Sequence, residues 1–432
     1  MSTGVTGKEN SSMRDFLLLW STQALSVLGS DMTSFALTLW VFQETGSALR
    51  TALLSVCSYV PYVLVSIFAG ALSDRWDKKR TMLFCDAFAA ACTVTVLVLF
   101  RSGMLRPWYL YVINAVSGLM NTVQRPASDV AVTLVTPKDR FQQTSGLRSL
   151  SGSVNMVLHP VLATAMYAFG GMYLVITVDL ITFIIAFVSL AFMIRIPEVE
   201  TDEDSEKVSV IRSAGEGLAF LGENRLVLYL ILFLAGVNLV ASAFDSVLPA
   251  YILPLENGGE KVLGTVLSTA GLAMVAGSLA VTIVPKPKDR VRVILYTMLF
   301  SLTTDNLLMS LSRSPMSWYI AQILGYVPVP IMSSNLDVVI RTSIPVEMQG
   351  RVYACRNTLQ FFTIPLGQFL GGLLVDRFCE PFMAAAGSGF AGKLFGSGPG
   401  SGSALMIFLL GIAGFAICAV FMRILRDHSY SE

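Results

Sequence analysis

Charge is scarce in this chain. Only 14% of its 432 residues are charged while 54% are hydrophobic, where a soluble domain carries about 25% charge and 45–50% apolar residues. Histidine is scarcer still, with two copies, His159 and His428. So few histidines, with no HExxH stretch and no carboxylate-rich cluster, argue against a membrane metalloenzyme. The six cysteines (Cys57, Cys85, Cys92, Cys355, Cys379 and Cys418) have no CxxC or histidine-paired spacing, so they read as small core residues rather than a disulfide or metal framework. A Gly-x-x-x-x-Gly-Lys-Ser/Thr stretch is missing as well, so ATP is not the direct energy source. The first fifteen residues have neither an apolar core nor a cleavage site, so they are not read as a signal peptide.

What is abundant is long apolar runs, and mean hydropathy is +0.66. Runs of about 20 residues or more are the length of membrane-spanning helices, not of the roughly 10-residue alternating strands of a barrel. Twelve spans are read at 15–42, 48–73, 79–101, 106–128, 141–169, 171–194, 226–252, 261–284, 291–311, 316–340, 351–376 and 402–425. With the N-terminus placed in the cytoplasm, 20 lysines and arginines fall in the cytoplasmic segments and 7 in the outer ones. That bias puts both termini in the cytoplasm. The fold class is an all-α polytopic membrane protein.

The chain divides into an N-terminal six-helix half (1–195), an acidic and then weakly amphipathic linker (196–224) and a C-terminal half (225–432). The halves repeat. Asp129, Val130, Pro137, Asp139 and Arg148 recur 208 residues later as Asp337, Val338, Pro345, Glu347 and Arg356. Two homologous six-helix halves in parallel repeat are the plan of the major facilitator fold. The outer stretch 380–401, rich in glycine and alanine, reads as a loop.

The stretch GALSDRWDKKR (70–80) places six charges between Asp74 and Arg80, directly after a nearly uncharged run. Its order resembles the major facilitator signature between spans 2 and 3, with Gly70, Leu72, Asp74, Arg75, Lys78 or Lys79, and Arg80 in the family's places and Asp77 where the family has a second glycine. The resemblance implies a conformational latch of Gly70, Asp74, Arg75 and Arg80, in which the Asp74 carboxylate faces the N-terminus of span 11. The stretches WVFQETGSA (40–48) and GSGPGSGSALMIFLLG (396–411) look most like the macrolide-efflux and related enterobactin-exporter branches, whose members are proton-driven exporters. The span-5 sequence departs from the antiporter pattern, because His159 precedes Pro160.

Charges at membrane depth cost about 2.5–3.5 kcal/mol each on insertion scales, so each needs a partner or a function. Asp129 with Arg148, and Asp337 with Arg356, are read as two pairs tying adjacent helices, with Arg125 joining the first. Asp31 in span 1 and Asp245 in span 7 lie on polar helix faces with no nearby basic residue in sequence, which suits proton coupling or attraction of a cationic substrate. His159 shares a stripe with Arg148, Gly152 and Asn155 and is either a proton relay or a hydrogen-bonded structural histidine. Asn114, Asn121, Asn155, Asn238 and Gln360 are expected in cavity walls. Asp86 is read as a loop anchor, and Asp179 and Asp305 receive no role.

The reading is a non-enzymatic secondary transporter that exports lipophilic or amphipathic small molecules by proton antiport and alternating access. A dedicated exporter of a siderophore or another self-made metabolite is the alternative. No metal or other cofactor is called for. The expected partners are a small-molecule substrate, protons and the lipid bilayer of the bacterial plasma membrane, without nucleic acid, for a chain acting as a monomer.

Overall fold

The computed structural model describes residues 13–137, 140–197, 210–283, 285, 287–386 and 389–426, leaving aside the side chains of 66–75, 141, 142, 145, 149, 210–214, 346, 347, 349–351 and 354. Every regular element among them is a helix, because hydrocarbon satisfies no backbone group and each span must bond its own. Spans 1 to 4 are Met13–Thr45, Ala48–Arg75, Lys78–Arg101 and Pro107–Val135. Spans 5 and 6 run within Phe141–Val188, broken at Gly171 (φ 62°), and span 6 ends in a π-turn, Ser189–Met193. An L side chain is strained at that φ, so glycine allows spans 5 and 6 to join through a single residue.

In the second half, spans 7, 8, 9 and 12 are Arg225–Ile252, Glu260–Ile283, Arg290–Leu311 and Ser401–Ile424. Span 10 is two helices, Pro315–Tyr326 and Pro328–Ser343. Pro328 and Pro330 remove two backbone donors within one turn there. Span 11 breaks in the same way at Phe362, three residues before Pro365, into Val346–Phe361 and Thr363–Leu374, and ends in the π-turn Val375–Cys379.

One expectation is revised. The stretch 380–401 is not simply a loop. It folds into short helices Glu380–Ala386 and Phe390–Phe395, which bury Met383 and Phe395. Within the linker, Val210–Glu223 is a helix that buries Leu221, while 198–209 lie outside the described residues.

The charged turn after span 2 has a structural logic beyond topology. Asp77 is the N-cap of span 3, its Oδ1 accepting from the Arg80 amide at 2.6 Å. Asp289 does the same for span 9, accepting from the Arg292 amide at 3.0 Å, so the position is repeated in both halves. Lys79 reaches across to span 6, where its Nζ donates to the carbonyls of Ala191 (3.0 Å) and Ile194 (2.8 Å). A lysine at the negative end of a helix satisfies carbonyls that have no partner within the helix. The side chains of Gly70, Asp74 and Arg75 lie outside the described set; Arg80 is exposed.

The halves meet along spans 5 and 8 and along spans 2 and 11. Small residues allow the close approach. A Cβ on Gly264 would lie 3.0 Å from the Pro160 carbonyl oxygen, and one on Gly372 would lie 2.6 Å from the Leu49 Cα.

Candidate functional site: two carboxylate-lined cavities

Each half encloses a cavity, and the two have matching charge. The N-terminal cavity, 320 Å³, lies among spans 1, 3, 4 and 6 and is lined by Asp31, Asp86, Asp179 and Arg125. The C-terminal cavity, 310 Å³, lies among spans 7, 9, 10 and 11 and is lined by Asp245, Asp305, Asp337 and Arg356. Three aspartates and one arginine leave each wall with an excess of acid.

In the N-terminal half, Asn155 Nδ2 donates to Asp31 Oδ2 at 2.5 Å, joining span 5 to span 1. His159 lies one turn on, its ring nitrogen 2.9 Å from the Asn155 carbonyl and its edge toward Phe35. Asp179 is 3% exposed and accepts from Ser30 at 3.1 Å. Asp86 does not anchor a loop. It accepts from Gln23 at 3.2 Å and Gln124 at 2.5 Å, tying span 3 to spans 1 and 4. Neutral donors hold these carboxylates.

Arg125 corrects a further expectation. It does not join the Asp129–Arg148 pair but stacks 5.5 Å over the Tyr62 ring. One helical turn along span 4 separates Arg125 from Asp129, and the two point to different neighbours. Asn121 lines the cavity, whereas Asn114 is a tie between helices, donating to the Leu54 carbonyl at 3.1 Å.

In the C-terminal half, Asp245 opens to the cavity, whose wall also includes Tyr326. Asp305 is 6% exposed and takes a 3.2 Å hydrogen bond from Gln322. The two carboxylates line the same space. Asn238 donates to the Gln360 carbonyl at 3.2 Å, and both line the wall. Arg356 sits 3.8 Å from Asp337 and donates to Gln360 at 3.2 Å.

The repeated pairs therefore form in both halves, Arg148 bonding directly to Asp129. Side-chain exposures of 46% and 61% make that pair an exposed one, and an exposed ion pair contributes about 0–1 kcal/mol. Exchanging the two charges should therefore leave thermal stability within about 1 kcal/mol and preserve more transport than either single neutralisation. Equal loss in all three variants, measured as uptake or efflux in cells, counts against the pairing.

Sequence reasoning missed the closure of the face opposite the termini. Asp376, in the π-turn of span 11, accepts from Ser47 Oγ at 2.5 Å and from the amides of Ala48 and Leu49 at 3.0 Å each. Those amides are the first of span 2, in the other half, where a carboxylate also meets the positive end of the helix dipole. Beside it, Gln43 of span 1 bonds to Glu260 of span 8 and accepts from Tyr167 of span 5 at 3.1 Å. Nothing in the local sequence pairs position 376 with position 48, because the contact joins residues more than 300 apart.

Comparison with known proteins follows the same lines. The sequence profile of the Major Facilitator Superfamily matches residues 19–367. Macrolide efflux protein A of Streptococcus pyogenes is 24% identical over 379 residues, covering 86% of this chain and 91% of that protein. Multidrug efflux pump Tap of Mycolicibacterium fortuitum is 21% identical over 376 residues, covering 85% and 90%. Among solved structures, a bacterial homologue of the human lysosomal transporter Spinster, inward-facing and unoccupied, superposes with a TM-score of 0.69 at 14% identity, covering 98% of this chain and all of that one.

Proposed function

The chain belongs to the major facilitator superfamily, and on that premise we propose that this membrane transporter exports lipophilic or amphipathic small molecules by proton antiport. The halves 1–195 and 225–432 rock about the 196–224 linker, and the hydrogen bonds that Asp376 accepts from the start of span 2 support a state closed opposite the termini. Both termini lie in the cytoplasm of a bacterial cell, a reading that the excess of lysine and arginine on that side supports, and the chain acts as a monomer.

The observation that carries this reading is the pair of acid-rich cavities. A carboxylate enclosed in low dielectric is costly as a bare anion, so it must take up a proton or a cation, and it is relieved of that need when water reaches it. A wall that alternates between enclosure and water can thus exchange protons for a substrate. Asp31 is assigned the coupling role, since its hydrogen bond to Asn155 links the N-terminal cavity to the span that packs on span 8. The efflux names of the relatives point the same way.

The test uses an efflux-deficient bacterial host expressing wild type or Asp31→Asn, with drug susceptibility and dye accumulation followed before and after a protonophore. The expected result is lower accumulation in wild type, abolished both by the protonophore and by the substitution. Accumulation that stays low in the protonophore rules out proton drive, and no protection against any compound rules out drug export.

A further inference from the structure

The two halves differ at one seam. In the first half Lys79, two residues past the Asp77 cap of span 3, donates to the last carbonyls of span 6. Counted from the Asp289 cap of span 9, the same place is held by Val291, which is buried. Valine has no donor for those carbonyls. A cavity of 240 Å³ stands there instead, between the first turns of span 9 and the end of span 12. Its polar wall is mainly cationic. Arg292 and Tyr296 contribute from span 9 and Arg426 from the residues after span 12, and all three are exposed. Asp289, the one acid in that wall among the described residues, has both oxygens bonded to Arg292, Oδ1 to its amide at 3.0 Å and Oδ2 to its Nε at 2.9 Å. The terminal amino groups of Arg292, on a side chain 69% exposed, thus line one space with the guanidinium of Arg426. Two cations and one acid leave a surplus of one positive charge.

We propose that this cavity holds the phosphodiester of an anionic phospholipid, gripped by Arg292 and Arg426. A guanidinium presents paired N–H donors that match phosphate oxygens, and the single charge of a phosphodiester balances the surplus. The stripe that leads away from the arginines selects a lipid over a free phosphate. Arg292, Tyr296 and Phe300 recur at i, i+4 and i+8 on span 9, and all are exposed. A rise of 1.5 Å per residue sets Tyr296 roughly 6 Å and Phe300 roughly 12 Å deeper than Arg292. The interfacial layer of one leaflet is about 5–8 Å thick. The order is therefore charge among the headgroups, an amphipathic ring at the boundary and an apolar ring among the chains. Span 12 adds Met422 to the wall and the exposed Phe415 farther in. Basic pockets between spans are a known form of anionic headgroup site. The volume of 240 Å³ lies below the roughly 300–1,000 Å³ of organic-ligand pockets, so it admits a headgroup and not a whole drug-sized molecule. The site is separate from both carboxylate-lined cavities and does not rest on the export reading.

The experiment is native mass spectrometry of the delipidated full chain in detergent, titrated with dioleoyl-phosphatidylglycerol or dioleoyl-phosphatidylcholine. The two lipids share their acyl chains and differ in headgroup charge. The first phosphatidylglycerol should bind at least about tenfold more tightly than phosphatidylcholine. Arg292→Gln combined with Arg426→Gln should remove that advantage and leave phosphatidylcholine unchanged. Arg101→Gln combined with Arg106→Gln, at the opposite ends of spans 3 and 4, should keep it. Val291→Lys gives the second half the lysine of the first. It adds positive charge yet should weaken phosphatidylglycerol binding about tenfold, because its side chain occupies the cavity. General attraction to a basic surface predicts the reverse. Equal affinity for the two lipids, a preference that survives loss of Arg292 and Arg426, an equal loss in the opposite-face pair, or tighter binding in Val291→Lys overturns the assignment. Millimolar inorganic phosphate, read as melting temperature in the same detergent, should change nothing. A stabilisation by phosphate that disappears in the Arg292/Arg426 variant gives the cavity to a free phosphate and overturns the lipid.

Discussion

Asp376→Ala should release the face opposite the termini. The carboxylate receives three hydrogen bonds from the start of span 2, two of them from backbone amides of its first turn. Hydrogen bonds to a charged acceptor contribute about 1.5–3 kcal/mol each, and a partly buried carboxylate at a helix N-terminus adds up to ~2 kcal/mol. Water replaces part of this once the face opens, so the net change is on the order of 2–3 kcal/mol, or roughly 30- to 150-fold in the closed-to-open ratio. Spin labels at the exposed Arg50 and Arg377, in a background without the six native cysteines, report the separation of spans 2 and 11. Wild type should give one short distance, and Asp376→Ala should add a longer population. Asp376→Asn keeps one acceptor oxygen and should fall between them. An unchanged distribution in Asp376→Ala means that the clasp does not hold the face.

The second large effect is steric. A Cβ at Gly372 would stand 2.6 Å from the Leu49 Cα, 2.9 Å from its amide nitrogen and 3.0 Å from the Ala48 carbonyl oxygen. All three are backbone atoms, so no side chain can rotate away. Gly372→Leu should therefore prevent the halves from closing on that side and reduce transport at least about tenfold, the effect of a penalty above ~1.4 kcal/mol. Gly118 provides the contrast, since its Cβ would meet the Ser58 backbone within one half. Gly118→Leu should lower the yield and melting temperature of the protein, while Gly372→Leu should leave both near wild type and shift only the Arg50–Arg377 distance. Wild-type transport by Gly372→Leu would show that closure at this contact is not part of the cycle.

The twelve spans were legible because hydrocarbon sets their length and composition directly. The Asp129–Arg148 and Asp337–Arg356 pairs were legible because a charge within an apolar span calls for a partner and the 208-residue offset repeats both members. Span 4 was legible by length rather than by apolarity. It is 29 residues long, although Asn114, Asn121, Gln124, Arg125 and Asp129 lie along it. The cavities were not legible, since each draws its aspartates from several helices whose relative rotation no local pattern fixes. Asp305 had no readable role for that reason, and Asp86 was assigned to a loop when its partners stand on two other spans. Arg125 misled through proximity in sequence. Composition misled at 380–401, where glycine and alanine suggested a loop although Met383 and Phe395 had apolar surface to bury.

The Gly171 joint carries a mechanical consequence. Spans 5 and 6 share one residue at their junction, so no slack exists in which one could tilt and the other stay still. Span 5 carries the Asn155 grip on Asp31 and accepts, through the Val157 carbonyl, a 2.8 Å hydrogen bond from Ser268 of the other half. Span 6 carries Asp179 on the far wall of the same cavity, and Lys79 fastens its distal end to span 3. The two spans thus form a crank. A displacement entering at the seam between the halves is geared to the spacing of the acids it encloses, so the seam and the N-terminal cavity must change shape together.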